Sequence, residues 1–370
     1  MRKFRWGILG AGFAARKFVL GLRAAKDAEA VLAASRSLGK AREFAAALGI
    51  TRSAGSYADA VRDVEVDAFY LATPPSTHRD LALHCLNAGK PVLVEKPFAQ
   101  DAAAARDIVQ AARARSVFCM EAMWTRFLPL VRRVKRMIEE GAAGEVRMFT
   151  GSFCTAEAVH PDSHVFSPQL GGGATLDRAV YPLSLAFHLL GRPEEITSRA
   201  LIGGTDVDED VAILLRYARG PLALIHASLR TQGSNDCVIM GTRAQIRVHA
   251  PIYRPFRMTI TPIRALERTG KRASRMEAVR ESHWVHAAYQ RLDRIAAAML
   301  GLSGISRDEY YAGNGYHYEA EEVMACVREG RLESAIMPLD QSLQIVEAMD
   351  SIRAQWGMHR RQDSPPALGA

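Results

Sequence analysis

Three side chains in this sequence have the chemistry to handle a proton: Lys96, Asp177 and Tyr181. Pro97 follows the lysine and fixes the backbone there, so the lysine leaves the end of a predicted strand at a defined angle. Asp177 and Tyr181 are four residues apart, so they share one face if this segment is helical. An amine, a carboxylate and a phenol in one cleft could exchange a proton with a substrate oxygen. Taken singly, Lys96 also fits an exposed strand end, and Asp177 also fits a helix cap.

A short apolar stretch at residues 4–9 predicts a buried strand that ends at a glycine-rich turn. The turn reads Gly10-Ala11-Gly12-Phe13-Ala14-Ala15, and helical apolar spacing follows at residues 18–25. Glycine lets backbone amides approach a pyrophosphate closely, and the start of the next helix attracts that anion. Such a glycine pattern is common by chance, but the strand before it and the helix after it indicate a dinucleotide-binding turn. The predicted cofactor contacts in this turn are Gly10, Gly12, Phe13, Ala14 and Ala15.

Further buried strands are predicted at residues 30–34, 68–72, 91–94 and 117–120, with helical segments between them. This alternation predicts a Rossmann domain with a doubly wound parallel sheet. The second strand ends in Ser35-Arg36-Ser37 rather than in the acidic residue that binds the ribose 2′-hydroxyl of NAD. These residues, with Lys40 one turn later, could bind the 2′-phosphate of NADP. We therefore expect NADP(H) as the preferred cofactor and NAD(H) as the second option; the alternative is an exposed arginine at a helix start.

Two more segments follow strands of the predicted sheet, at the edge where open α/β folds bind ligands. The first places Thr73, Pro74 and His78 near the nicotinamide end of the cofactor, although a histidine there more often stabilises its own loop. The second supplies three candidates for a pocket wall that would suit a sugar or a cyclic diol: Trp124, Arg126 and Phe127. Large aromatic residues usually pack in cores, so packing between domains fits the two aromatic candidates equally well.

The second half of the chain is richer in β-structure. Strands are predicted at residues 146–153, 210–217, 222–229, 236–240 and 245–248, and helices at residues 285–300, 318–329 and 342–355. This pattern predicts a large, mostly antiparallel open sheet backed by helices. We therefore expect an α/β domain at residues 1–124 and an α+β domain for substrate binding and oligomerisation at residues 125–370, with residues 360–370 as a loose tail.

Composition excludes several other classes of protein. The chain has 370 residues and a formal net charge of +8, but its basic residues are spread along it without a nucleic-acid-binding motif. No apolar stretch is long enough to span a bilayer and no cleavable signal opens the chain, which predicts a cytoplasmic protein without a membrane segment. The five cysteines are widely spaced, so reduced thiols are expected. Two histidine pairs lack a third ligand at an obvious spacing, so no metal site is expected: His160 with His164, and His283 with His286.

Several motifs together resemble the Gfo/Idh/MocA family of NAD(P)-dependent oxidoreductases nearly from end to end. They are the glycine turn, Glu95-Lys96-Pro97, EAMWTRF at residues 121–127, GGGATLD at residues 171–177, Tyr181-Pro182-Leu183 and GYHYEA at residues 315–320. Residues 124–127, the spacing of Asp177 and Tyr181, and MPLD at residues 337–340 are most similar to the branch of dihydrodiol and NADP-dependent D-xylose dehydrogenases. The sequence departs from the family pattern at Arg178 and Ala179, where an Ile-Gly pair is expected.

The resemblance implies hydride transfer between nicotinamide and a secondary alcohol or carbonyl carbon of a sugar, a sugar derivative or a cyclic diol. It implies Tyr181 as proton donor or acceptor, Asp177 as the residue that orients Lys96 or binds a hydroxyl, and Glu95 and Lys96 as cofactor contacts. Partial desolvation beside a cationic nicotinamide is expected to lower the pKa of Lys96, and a cationic Lys96 would lower that of Tyr181.

The resemblance also implies a homodimer or homotetramer formed through the second sheet. The alternative is a non-catalytic dinucleotide-binding sensor or regulatory protein on the same scaffold. Such a binder needs only the glycine turn, so retention of Lys96, Asp177 and Tyr181 favours the enzyme.

Overall fold

The computed structural model describes residues 2–218, 220–263, 282–285 and 304–357. Within them lie a six-stranded parallel sheet and an eight-stranded, mostly antiparallel sheet, each accompanied by helices. This arrangement confirms the predicted fold class, a Rossmann-like α/β unit followed by an open sheet backed by helices.

The first sheet has the strand order β3-β2-β1-β4-β5-β6, and every neighbouring pair is parallel. Its strands are β1 Phe4–Leu9, β2 Ala28–Ala34, β3 Arg52–Ala54, β4 Ala68–Leu71, β5 Val92–Glu95 and β6 Cys119–Ala122. The helices are α1 Phe13–Leu22, α2 Leu38–Leu48, α3 Tyr57–Ala60, α4 His78–Asn87 and α5 Ala102–Arg115, with short 3-10 turns at Pro75–Thr77 and Trp124–Phe127. All residues of β4, β5 and β6 are buried, as in a sheet covered on both faces. Because the strands are parallel, their carboxyl ends meet at one edge, and the candidate residues up to Trp124 follow those ends.

Several predicted boundaries in this part of the chain were wrong by one or more residues, and those of α1 and β6 have a clear physical reason. Helix α1 begins at Phe13 and ends at Leu22, because the extended backbone of Gly12 caps it directly after the turn. The apolar spacing pointed to the buried residues Phe18, Val19 and Leu22, whereas Phe13 in the first turn is 75% exposed and does not continue that spacing. Strand β6 begins two residues later than predicted, because the Val117 amide still bonds to the Ala112 carbonyl at the end of α5.

The second sheet has the order β14-β13-β12-β11-β7-β10-β9-β8, in which only β7 and β10 pair in parallel among the described strands. Its strands are β7 Val146–Cys154, β8 Glu195–Ile202, β9 Asp208–Arg216, β10 Leu222–Ser228, β11 Cys237–Gly241, β12 Ala244–Val248, β13 Arg257–Pro262 and β14 Ile305–Asp308. The helices are α6 Pro129–Glu139, α7 Val180–Leu190, α8 His317–Arg328 and α9 Leu339–Ala354. A 3-10 turn at Pro168–Leu170 and a π-helical turn at Thr175–Ala179 precede α7.

Helices connect the two sheets and cover one face of the second. Helix α8 packs on α1, while α9 contacts α5, α7 and β8. Side chains in β9 and β10 alternate between buried and exposed, so the other face of these strands is open. Most of the helix predicted at residues 285–300, and the whole tail at residues 360–370, lie outside the described residues. Nowhere in the described ranges is a helix long and apolar enough to cross a bilayer.

Candidate active site

Lys96, Asp177 and Tyr181 come together where the end of β5 faces the π-helical turn and the start of α7. Lys96 Nζ donates to Asp177 Oδ1 at 2.8 Å and to the Asp177 backbone oxygen at 3.0 Å. The same ammonium lies 5.0 Å from the centroid of the Tyr181 ring. The side chains of Lys96 and Asp177 are only 14% and 12% exposed. The three residues form one partly buried group, although a π-helical turn rather than an α-helix carries Asp177.

The pKa of Lys96 is shifted in the direction opposite to the expected one. Burial acts to lower the pKa of Lys96, but the Asp177 carboxylate and the Tyr181 phenol outweigh it, so the pKa lies above its ordinary value. The expected decrease was wrong because the nearest charge is a carboxylate, and Lys96 is therefore an ammonium ion. Burial raises the pKa of Tyr181, while Lys96 acts to lower it. The predicted direction of the lysine's effect on the phenol is thus confirmed, but burial dominates.

Arg178 lies on the other side of the Asp177 carboxylate. Its guanidinium forms ion pairs with Asp177 Oδ2 and with Glu157 Oε1. Its Nε donates to Thr155 Oγ1 at 3.0 Å, and its Cζ lies 5.0 Å from the centroid of the Phe153 ring. Asp177 is therefore held between two cations. The sequence marked Arg178 only as a departure from the family pattern.

Aromatic side chains surround Tyr181. Its ring packs edge-on against Phe153 with centroids 5.4 Å apart, and Phe153 stacks on Tyr253 at 5.2 Å. Trp124 stacks on Tyr316 at 4.5 Å and lies 6.1 Å from Tyr253. Trp124 is thus part of the aromatic cluster next to the proton-handling group. Tyr316 and Tyr253 were not predicted as site residues; Tyr316 belongs to the GYHYEA motif at residues 315–320, whereas nothing in the sequence signalled Tyr253.

Arg126 is in a different environment, where it contacts α7, the residues before α9 and the first turn of α9. Arg126 is fully buried, and its guanidinium donates to the Ser184 hydroxyl at 2.8 Å and the Ser184 carbonyl at 2.7 Å. Further contacts join it to the Ile336 carbonyl and to Gln341. Phe127 is 2% exposed. A guanidinium buried this completely requires internal acceptors, so its donors are committed to the scaffold and we do not propose Arg126 as a pocket wall. Phe127 stays a predicted pocket residue.

The glycine turn has the backbone that a pyrophosphate requires. Gly10 has a φ of +114°, and a Cβ there would lie 2.3 Å from the Ala72 carbonyl oxygen, so only glycine fits. A Cβ at Gly12 would meet no atom within 4 Å, which leaves open space beside the first amides of α1. Those amides have no partner within the helix and favour an anion. Phe13 and Ala14 open the helix, and the fully buried Ala15 allows close packing on the sheet. The turn therefore fits a dinucleotide phosphate.

The residues after β2 lead directly into α2. The Ser37 hydroxyl caps this helix by accepting from the Lys40 amide at 3.4 Å, while Ser35 is 9% exposed. Arg36 and Lys40 are exposed, and neither forms an ion pair with another residue in the described parts of the chain. Two cations remain free to bind a phosphate at the carboxyl end of β2.

His78 braces the loop after β4. It is fully buried, with Nδ1 3.0 Å from the Pro97 carbonyl and Nε2 2.8 Å from the Thr73 carbonyl. The Thr77 hydroxyl lies 2.7 Å from the Thr73 hydroxyl and 2.8 Å from the Pro74 carbonyl. Burial lowers the pKa of His78. The imidazole thus holds the Thr73 loop against the Lys96-Pro97 segment, which is a positioning contact.

Glu95 also acts on the position of Lys96. Its Oε2 accepts from the Lys96 amide at 2.9 Å, and its Oε1 accepts from the Tyr70 hydroxyl. Burial raises the pKa of Glu95. Tyr70 was not among the predicted residues, although a tyrosine inside a fully buried strand requires a partner for its hydroxyl. Together they fix the backbone from which the lysine projects.

Over the described ranges, no group of three or more His, Cys, Asp or Glu side chains could hold a metal ion. His160 and His164 are in the exposed loop after β7 and His286 lies outside the described residues. All five cysteines are free and buried.

Comparisons with known proteins identify the family. Residues 4–123 match the description "Oxidoreductase family, NAD-binding Rossmann fold", and residues 131–247 match "GFO/IDH/MocA C-terminal domain". The trans-1,2-dihydrobenzene-1,2-diol dehydrogenase of Danio rerio is 31% identical over 364 residues, which is 97% of this chain and 99% of the relative. The corresponding protein of Xenopus laevis is 30% identical over 96% of this chain and 98% of its own length.

Solved structures share the fold. Levoglucosan dehydrogenase in complex with NADH and levoglucosan superposes with a TM-score of 0.79 at 20% identity, over 96% of this chain and 98% of that one. A 3-ketoreductase from Actinomadura kijaniata in complex with NADP gives 0.76 at 22% identity, over 95% and 98%. The family matches cover more than half of the chain, and the curated relatives extend over nearly all of it. The chain therefore belongs to the Gfo/Idh/MocA family of NAD(P)-dependent oxidoreductases, as its motifs predicted.

Proposed function

We propose that this protein is an NADP-dependent oxidoreductase that transfers a hydride between nicotinamide and the secondary alcohol or carbonyl carbon of a sugar, a sugar derivative or a cyclic diol. One observation carries the proposal: a buried phenol, Tyr181, lies under an ammonium, Lys96, that the Asp177 carboxylate holds in place. A phenol next to a fixed cation is suited to exchange a proton with an alkoxide or carbonyl oxygen. A dinucleotide-binding sensor would have no need of this group.

When bound, NADP(H) supplies or accepts the hydride. Tyr181 then gives a proton to the substrate oxygen in reduction and takes it in oxidation. Lys96 remains an ammonium ion and stabilises the phenolate that forms transiently, while Asp177 keeps the ammonium in place. The aromatic cluster of Phe153, Tyr253, Trp124 and Tyr316 keeps water away from the phenol, which strengthens these charge interactions.

The charges near Tyr181 favour a neutral substrate. Lys96 pairs with Asp177, and Arg178 pairs with both Asp177 and Glu157. These two cations and two carboxylates neutralise one another, so no unpaired charge is left among them to bind an anionic substituent. Aromatic walls suit the apolar face of a sugar or a cyclic diol. The relatives named as trans-1,2-dihydrobenzene-1,2-diol dehydrogenases and the structural similarity to levoglucosan dehydrogenase support the same class.

A substrate panel tests the proposal. The purified protein is mixed with NADP+ or NADPH and with aldoses, ketoses, anhydro sugars, inositols and trans-dihydrodiols, and nicotinamide absorbance is followed. We expect turnover with at least one neutral polyol or its carbonyl form. Binding of NADPH without turnover on any member of the panel would instead support the sensor.

Arg36 is expected to determine the preference for NADP. In Arg36→Ala the KM for NADPH should rise by roughly ten- to a hundredfold, because a hydrogen bond to a charged group contributes roughly 1.5–3 kcal/mol. The KM for NADH should stay within about twofold, since its ribose carries no phosphate for Arg36 to contact. Steady-state kinetics with both cofactors measure the effect. Arg23→Ala is the control, because Arg23 is an exposed arginine at the C-terminal end of α1, away from the glycine turn. Equal efficiency of the wild type with NADH and NADPH would refute the assignment.

We further propose that the open face of β8, β9 and β10 pairs two copies of the chain, as a homodimer or as half of a homotetramer. Leu214 and Leu224 are neighbours in register on this face and are 37% and 44% exposed. Leu222 and Leu201 add exposed fractions of 40% and 69%. An apolar patch of this kind on a sheet is typical of a subunit interface.

Charges placed on this face should separate the subunits. We expect the wild type to have at least twice the chain mass in light scattering, and Leu214→Glu with Leu224→Glu to have the mass of one chain, because burying two carboxylates without partners is costly. Val64→Glu, at a residue that is 86% exposed outside this face, is the control and should keep the wild-type mass. A monomeric wild type would contradict the proposal.

A cytoplasmic location is the final part of this proposal. It is supported by the five free thiols, all of them buried, which match a reducing compartment.

A further inference from the structure

Arg178 is a charged neighbour of Asp177 that the proposed reaction does not use. Its guanidinium bonds in two directions. Nη1 bonds to Asp177, while Nε and Nη2 bond to Thr155 and Glu157, which follow the end of β7. The side chain is 15% exposed, and it packs on the Phe153 ring. Arginine suits this place because its planar fork can bond to two groups at once.

The segment held by Arg178 runs from residue 155 to residue 172 and reaches back to the first sheet. The side-chain amide Nε2 of Gln100 donates to the Pro168 carbonyl at 3.2 Å. A Cβ on Gly171 would lie 2.9 Å from Pro75, so the backbone there touches the loop after β4 closely. The segment therefore spans from the Asp177 side of the site to the loop that His78 braces. Only its first residues are fastened by a charged contact to the proton-handling group.

We propose that Arg178 is a positioning residue that fastens the 155–172 segment to Asp177 and so forms the substrate side of the active site. This inference rests on the proposed function. The Arg178 guanidinium has two effects. It fixes the position of Glu157 relative to Asp177, and it places a second positive charge close to Tyr181. In this proposal Arg178 determines specificity through the segment, because it fixes the first residues of the chain that runs from Asp177 to the loop after β4.

The two contributions are separable by substitution. Arg178→Met keeps an unbranched apolar stem but removes both the fork and the charge, whereas Arg178→Lys keeps only the charge. Tyr181 is the group whose titration reports the charge. The other charged and titratable groups that face it are Lys96, Arg178, Asp177, Glu95, Tyr253 and Tyr316. Loss of one cation from this set makes the phenol harder to ionise, so alcohol oxidation should require a higher pH.

Steady-state kinetics of alcohol oxidation across pH test the proposal, with NADP+ and the panel substrate that is turned over best. In Arg178→Met we expect the KM for the alcohol to rise about tenfold, the scale of one charge-assisted hydrogen bond, and the KM for NADP+ to stay within about twofold. The pH of half-maximal kcat should move up by about half a unit. Arg178→Lys should restore the pH profile but not the alcohol KM. Glu157→Gln should raise the alcohol KM alone and add nothing to Arg178→Met in the double variant.

Hydrogen exchange in the NADPH complex gives a reading that needs no turnover. Amides of residues 155–172 should exchange several-fold faster in Arg178→Met, while amides of β8 keep the wild-type rate. If the wild type turns over no substrate, the proposed function fails, and hydrogen exchange still decides whether Arg178 fastens the segment. Unchanged exchange in Arg178→Met would overturn the inference, as would an unchanged alcohol KM or additive effects of the Glu157 and Arg178 substitutions.

Discussion

Replacing Tyr181 by Phe is expected to lower kcat by roughly two to four orders of magnitude, the range contributed by a positioned general acid or base. The substitution removes only the hydroxyl, so the ring keeps its contacts with Phe153 and with the Lys96 ammonium. The Kd for NADPH should stay within about twofold because the glycine turn and Arg36 lie elsewhere on the sheet edge. Single-turnover kinetics and a fluorescence titration with NADPH measure the two quantities.

Tyr310→Phe is the matched control for this variant. Tyr310 is 74% exposed, and its hydroxyl donates to Asp308 at 2.7 Å, away from the candidate site. Its kcat should equal that of the wild type. A kcat of Tyr181→Phe within threefold of the wild type would remove Tyr181 from the reaction.

Replacing Lys96 by Met should lower kcat by roughly two to three orders of magnitude, the cost typical of losing one group that stabilises charge in the transition state. Burial already raises the pKa of Tyr181, and the Lys96 ammonium opposes that effect. Without the ammonium the phenol gives up its proton even less readily, and oxidation of the alcohol should shift to higher pH. Because Lys96 is also a predicted cofactor contact, we expect a moderate rise in the KM for NADPH as well. Rate measurements across pH test both effects.

Lys90→Met provides the control for charge removal. Lys90 precedes the same strand and donates to the Val66 carbonyl at 2.8 Å, at the opposite end of β5 from the site. It should retain the wild-type rate and pH profile. If Lys96→Met keeps the wild-type pH profile, the ammonium does not act on the phenol.

The sequence predicted structures formed by neighbouring residues, such as the glycine turn, better than contacts between distant segments. Strand, glycine turn and helix are adjacent in the chain, so local patterns identify the dinucleotide turn at Gly10. The ion pair of Lys96 and Asp177 joins residues 81 positions apart, and no local pattern reports such a contact. The family motifs singled out both residues, but the raised pKa of Lys96 followed only once the carboxylate lay at 2.8 Å.

Arg126 and Arg178 show, in opposite ways, that the sequence does not reveal the contacts of an arginine side chain. Arg126 follows a strand at the ligand-binding edge, so its position suggested a pocket residue, yet its guanidinium is buried against Ser184. Arg178 looked like a departure from the family pattern and proved to connect Asp177 with Glu157. Ser184 is 58 positions from Arg126, and Glu157 is 21 positions from Arg178, so only the packed structure shows which partners each guanidinium contacts. His78 belongs here too, because its two carbonyl partners define it as a brace.

Transfer of an isotope label tests the central claim most directly. The protein is incubated with NADP+ and a neutral alcohol that carries deuterium on its carbinol carbon, with trans-1,2-dihydrobenzene-1,2-diol and D-xylose as first choices. The NADPH formed is then analysed by mass spectrometry. We predict one deuterium in each NADPH formed by the wild type and in Tyr310→Phe, and almost no NADPH in Tyr181→Phe or Lys96→Met. NADPH without label, or labelled NADPH formed equally fast by Tyr181→Phe, would contradict hydride transfer at this site.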